Sequence, residues 1–480
     1  MSRRSTTLSR FFAGWLLALA AFAALLFWAR ASLDAHKPAA PEVPGAAAAS
    51  GAGEISGNAK SFSLSPSPET SIPPFDADAA THLVTAFPMQ GVHQIDDAAP
   101  AIALFPPESS LTAQVIERES QPQVRTEKVT VRYRLDDAYA GGRNKDAASG
   151  DLAPDKDRHF FASDGIGVTP YASDTAGAFQ PYPVARVEAL DDEGGALLAS
   201  TGVVLPVSSE TGCRNCHGGP WKNSGKDGAA GGISEATVAD ILAVHDRRNA
   251  TELADMVKQG ATVQCASCHS GLGDEPNLST AVHGFHATMD LGGGEACGLC
   301  HASSEGGPTQ FYRGYHNLLG LDCTRCHGAL TDHAISLLRH ESERGSPAAG
   351  KRLGQLRPAA VADVANVKPR EPGVNLPQCA GCHDFKTKPD FSTATAFNKW
   401  TQSEDERFTR AFENMGKVRC PSCHGAPHAV YPASNPAGDD RDNIQPLQYQ
   451  GAAMPLGKDG NCAVCHTHDM PFFVHHDTVE

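Results

Sequence analysis

Seven Cys-x-x-Cys-His units take up every cysteine of the chain, and nothing else in the sequence restricts its structure as strongly. They are Cys213/Cys216/His217, Cys265/Cys268/His269, Cys297/Cys300/His301, Cys323/Cys326/His327, Cys379/Cys382/His383, Cys420/Cys423/His424 and Cys462/Cys465/His466. Two thiols at this spacing can add to the two vinyl groups of one porphyrin, and the adjacent His then supplies a nitrogen to its iron. Zinc knuckles and thioredoxin-like pairs also use Cys-x-x-Cys, but neither has a reason to place His after every unit. No thiol is left over for a disulfide framework. The expectation is therefore seven covalently bound haems c, with the fourteen cysteines as attachment points and the seven adjacent histidines as proximal iron ligands.

Ten further histidines in the same region are available as sixth ligands: His245, His283, His286, His316, His333, His340, His428, His468, His475 and His476. Seven of them would make every haem bis-histidine. The case for His245 is geometric. Ser234 reads as a helix N-cap, and Val238, Ile241, Leu242 and His245 follow at i, i+3, i+4 and i+7, so the imidazole lies on the apolar face. His283 and His286 share a helical face if Ser279–Met289 is helical, and each would serve a different haem. His316 precedes Cys323 by seven residues among apolar neighbours. His333 shares a face with Leu337 and His340. His428 is too near His424 in sequence to serve the same haem, so it is expected on a neighbour. One of His475 and His476 would fold back from the tail. His340 and His468 read as solvated or adjacent to a ligand, and His36, His82, His93 and His159 as surface or fold histidines. Met289 and Met470 are the alternatives to histidine, and either would raise a potential.

The N-terminus bears on compartment. Arg3, Arg4 and Arg10 precede an uncharged, mostly apolar run, Phe11 to Ala29, long enough to cross a bilayer. The positive-inside rule puts the chain beyond Arg30 on the periplasmic side of the inner membrane. Two readings stay open: a retained anchor, or a signal cleaved at Ala29-Arg30-Ala31. Residues 31–75, rich in Ala, Pro, Gly and Ser, read as a disordered tether.

Residues 76–206 lack cysteine and read as an all-β, sandwich-like domain. Lys128–Arg134 is its clearest strand, with Val129, Val131 and Tyr133 on one face. Leu111–Glu117, Tyr182–Leu190 and Ala196–Val207 are further strand-like runs, the last two joined by a turn at Asp191–Gly195. From 207 to 480 the motifs recur at intervals of 52, 32, 26, 56, 41 and 42 residues, too irregular for a solenoid. That region reads as a mostly α and irregular cytochrome c domain. One of its helices is signalled by a capping box at Ser403 and Glu406 followed by the stripe Phe408, Ala411, Phe412 and Met415.

Composition agrees with this organisation. The hydrophobic fraction is 41%, and 46 Gly with 33 Pro imply much loop. Buried porphyrins would substitute for part of an apolar core. The net charge of -15 argues against nucleic acid as a partner and for a redox protein with a basic face, a membrane quinol oxidoreductase or another cytochrome.

Several strings beyond the motifs carry a family resemblance. They are Val204-Leu205-Pro206-Val207-Ser208, Ala281-Val282-His283-Gly284-Phe285-His286 and Gly320-Leu321-Asp322-Cys323. Cys423-His424-Gly425-Ala426-Pro427-His428 and Arg441-Asp442-Asn443-Ile444-Gln445-Pro446 continue the set. From about residue 100 onward the chain resembles the multihaem c-type cytochromes of respiratory bacteria that pair an N-terminal β-rich domain with a heptahaem domain. The resemblance implies electron transfer through closely stacked, mostly bis-His haems in anaerobic or metal respiration. The alternative is a multihaem oxidoreductase with one open haem acting on a small nitrogen or sulfur compound. Some such enzymes replace a proximal His by Lys, and none of the seven units here does.

Overall fold

The computed structural model describes residues 63–64, 72–95, 101–140, 148–172, 178–218, 232–289, 291, 294–302, 307–358, 363–372, 374–383, 389–401, 417–434 and 441–468. All belong to one compact unit, Glu54–Glu480. The expected membrane segment, nearly all of the tether, the capping-box helix at Ser403–Met415, and Met470, His475 and His476 lie outside the described residues. Among the described residues no helix is long and apolar enough to cross a membrane.

The N-terminal part is all-β. Its strands are β1 (His82–Phe87), β2 (Glu108–Glu117), β3 (Gln123–Arg125), β4 (Val129–Leu135), β5 (Ser149–Asp155), β6 (Phe160–Gly167), β7 (Val184–Asp191) and β8 (Leu197–Val204). They form one eight-stranded antiparallel sheet in the order β8-β7-β4-β5-β6-β2-β1, with β3 paired to β2. The sheet curls until it is nearly closed. Its interior is filled by the inward-facing set that the period-2 pattern marks: Leu111, Ala113 and Val115 of β2, Val129, Val131 and Tyr133 of β4, and Ala185, Val187 and Ala189 of β7. β4 shows the expected alternation of buried and more exposed residues along its whole length. The turn between β7 and β8 is the one expected, with Gly195 at φ 67° supplying the left-handed residue.

β2 departs from simple alternation, because nearly all of it is buried. Its inner residues face the core, while Gln114 points the other way into the C-terminal region. The Gln114 amide donates to the carbonyls of His159, in the β5–β6 turn, and of Lys417, each at 2.7 Å, and its oxygen accepts from Arg419 N and Ser422 Oγ. β1 is held similarly. Its Val84 carbonyl accepts from Tyr449 Oη at 2.6 Å, and Gln445 pairs with the Ala86 backbone. The sheet thus meets the region that carries the motifs through both these hydrogen bonds and an apolar contact of Leu83 and Ile116 with Tyr449 and Val464.

That region is helical and irregular. Its principal helices are α1 (Glu235–Asn249), α2 (Leu253–Lys258), α3 (Leu278–His286), α4 (Leu330–Glu343), α5 (Pro347–Leu353) and α6 (Ile444–Gln450). Ser234 caps α1 by accepting from Thr237 N, and Asn277 caps α3 by accepting from Thr280 N. Ser346 caps α5, with Pro347 in its first turn. The apolar clusters here are small. One joins α4 and α5 through Ala334, Ile335, Leu338 and Ala349; another joins Ile102, Val238, Leu242 and Val263.

Candidate metal centres

All fourteen cysteines and all seven motif histidines border a single cavity of about 4800 Å³. None of the cysteines is disulfide-bonded. Shared among seven groups, this is about 690 Å³ apiece, inside the ~300–1,000 Å³ of a single cofactor site. Each motif is a short α or 3-10 turn whose His backbone N–H donates to the carbonyl of the first Cys, as in His217 to Cys213, His301 to Cys297 and His383 to Cys379. That turn sets both thiols and the imidazole at one local site. Among the described residues no group of three or more His, Cys, Asp or Glu converges as a bare-ion site.

The spare histidines come from distant segments. His286 of α3 lies across from His217, ring centres 6.4 Å apart, and His245 of α1 lies across from His269 at 6.4 Å. His283 pairs with His301 at 6.1 Å, His316 with His383 at 6.0 Å, and His428 with His327 at 6.1 Å. Two imidazoles on opposite sides of one metal, with bonds of about 2.0 Å and about 1.1 Å from nitrogen to ring centre, stand about 6.2 Å apart. Each of the five pairs joins one motif histidine to one histidine from elsewhere. His428 does sit on a neighbouring unit's histidine rather than on His424.

Hydrogen bonds at Nδ1 decide which ring nitrogen is presented. Nδ1 donates to a backbone carbonyl in His269 (Pro276, 2.9 Å), His283 (Ser279, 2.8 Å), His286 (Val282, 2.8 Å) and His466 (Ser120, 3.0 Å). In His217 it meets Asp240 Oδ2 at 3.0 Å. In His245 it donates to Thr251 Oγ1, whose own proton goes to Asp246. In the neutral tautomer that these contacts select, the lone pair lies on Nε2, the arrangement a metal-binding imidazole needs. His327 differs: Arg370 Nη1 donates to its Nδ1 at 3.2 Å. A metal at Nε2 of His327 requires that contact to open or the ring to turn over.

Burial keeps the inner histidines neutral. Desolvation pushes His301 down to about 3 and His316 and His428 down to about 4. It holds His327 and His333 well below the ordinary value, with Arg370 adding to the effect in both. A neutral imidazole is the form that ligates. The Nδ1 atoms of His301, His333 and His428 are buried without a hydrogen-bond partner, a costly state in an apolar interior.

The residues present thus fit a haem c at the five paired motifs, at His327 once its Arg370 contact opens. His333 borders the cavity, perpendicular to His283 at 4.7 Å and to His327 at 5.7 Å, closer than a trans pair. His424 and His466 border the same cavity. His340 and His468 do not: His340 lies 3.7 Å from Glu371, and His468 contacts Thr467. Met289 borders the cavity and is half-exposed. His93, assigned by sequence to the fold, also reaches the cavity wall, with Nε2 held 2.7 Å from the Pro106 carbonyl.

Some contributors carry no signal in the sequence. Asp240 and Arg370 act on motif histidines from other segments, and Phe311 stands between His301 and His428 at 4.7 and 5.4 Å. Comparison with family models, with curated proteins and with solved structures returns no match.

Proposed function

We propose that the chain is an electron carrier that holds seven haems c, mostly bis-histidine, and relays electrons between redox proteins on the periplasmic side of the inner membrane in anaerobic respiration. The observation that carries this is the set of five trans-like histidine pairs at 6.0–6.4 Å, each with one member directly after a Cys-x-x-Cys, along one shared cavity. A bound haem supplies one reversible electron per iron. The chain's own residues do the rest. The motif turns fix the attachment thiols, and the Nδ1 contacts orient the proximal and distal rings. Burial keeps the inner rings, His301, His316, His327 and His428, neutral, and the β-domain closes one wall of the cavity. At the five paired motifs a haem iron would be held by two histidines and leave no position for a substrate, which favours a carrier over an enzyme with an open iron.

The N-terminal apolar run Phe11–Ala29 is the proposed membrane segment, retained or cleaved. Intact mass of the mature protein, with a pyridine haemochromogen count, tests the reading. Seven haems per chain are expected. A chain carrying none, or carrying zinc at the same cysteines, would overturn it.

A further inference from the structure

The contacts between motifs arrange them in one line. α1 joins the second unit to the first: its His245 faces His269, while its Asp240 and Thr237 bind His217. The first and third units touch directly. Gly212 N donates to Cys300 O, Asn215 Nδ2 donates to Leu299 O, and α3 places His286 on the first unit and His283 on the third. The third and fourth units adjoin at the Cys297 and Cys323 side chains, and Phe311 spans from His301 of the third to His428, which faces His327 of the fourth. The fourth meets the fifth through His316, which precedes Cys323 by seven residues and faces His383. The Arg325 carbonyl also accepts from the N–H groups of Ala396 and Phe397, beyond the fifth unit. The fifth and sixth units adjoin at the Cys379 and Cys420 side chains. The sixth and seventh meet where Leu456 N donates to Cys423 O.

The two ends differ. At the seventh unit His466 is buried and bonded to Ser120 O, and Arg118 of the β-domain donates to the carbonyls of Ala463 and Val464. The β-domain plugs that end. The second unit is open: Cys268 alone among the fourteen cysteines is exposed. Leu272 beside it is 87% exposed, and Met256 46%. Around them, Glu252, Asp255, Asp274 and Glu275 are exposed, and the segment's one basic side chain, Lys258, is spent on Asp255 at 2.8 Å. An apolar centre with an acidic rim suits a transient redox interface with a basic partner.

We propose that the seven motifs form one unbranched relay in the order second, first, third, fourth, fifth, sixth, seventh, and that the Cys265–His269 unit is its docking terminus for a redox protein with a basic face. This rests on the proposed haem content. In the exchange, one electron leaves the partner's reduced centre and reduces the terminal iron by one, with no proton moved and no covalent bond changed.

The test uses the full haem-loaded chain and a reduced, lysine-rich single-haem cytochrome c as the probe. An Asp274→Lys/Glu275→Lys variant should keep seven haems and its rate of reduction by dithionite. It should accept electrons from the probe about tenfold more slowly, with a weakened dependence on salt. A Cys265→Ala/Cys268→Ala variant should hold six haems and alter the paramagnetic resonance of one other haem, that of the His217/His286 pair. A rate within twofold of wild type in the charge-reversed variant, or changes at two or more other haems in the second, would overturn the proposal. A wild-type chain without haem would instead remove the reading on which it rests.

Discussion

His245 and His269, 24 residues apart in sequence, face each other with ring centres 6.4 Å apart and planes at 84°. His245 is fixed from behind by Thr251, so its Nε2 is aimed at the space in front of His269. His245→Leu should therefore convert one of seven low-spin haems to high-spin and leave six unchanged, as seen by magnetic circular dichroism. All seven remaining low-spin would show that His245 is not a ligand.

Ring-plane angles divide the five pairs into two groups. His217/His286 and His245/His269 are near perpendicular, at 90° and 84°. His283/His301, His316/His383 and His327/His428 are nearer parallel, at 16°, 30° and 13°. Perpendicular axial imidazoles leave the iron d orbitals close in energy, while parallel ones split them. The oxidised protein should show two strongly anisotropic low-spin components beside at least three rhombic ones, read by low-temperature electron paramagnetic resonance.

Asp240 places a carboxylate on Nδ1 of His217, which increases the electron-donating power of that ring toward a metal. Asp240→Asn should raise the potential of one haem, changing its reduced-to-oxidised ratio at fixed potential by about tenfold, or about 59 mV for one electron. A spectroelectrochemical titration would detect it. No shift in any component would mean that the carboxylate serves only to position α1.

Arg313 and Asp442 form a buried bidentate pair, with side chains 1% and 6% exposed, that ties the segment before the fourth motif to the turn preceding α6. Asp442→Ala strands the guanidinium, and the expected cost is about 3–5 kcal/mol. Denaturant unfolding followed in the haem absorption band would report it as a lowered midpoint with little change in slope.

Legibility in the sequence followed the range over which each feature is determined. The motifs are five-residue chemistry, so they are visible without any fold. β4 alternates because one face meets the core inside the curled sheet and the other meets solvent. β2 blurs that signal because Gln114, on its outer face, is buried against Arg419 and Ser422, some 300 residues away. His245 was marked by its helical spacing to Val238 and Leu242, both of which are buried. Its partner was not, since nothing local in the sequence relates His269 to α1. The pairing of His327 with His428 and the contact of Arg370 with His327 likewise depend on how separate loops converge.

The central claim is that the chain carries electrons and keeps every iron closed by two axial ligands. The oxidised spin-state spectrum of the haem-loaded protein tests this most directly. A fully low-spin spectrum for seven haems, unchanged by nitrite, hydroxylamine or cyanide, is the predicted result. A high-spin component that shifts when one of these is added would contradict it and point to an enzyme with an open haem.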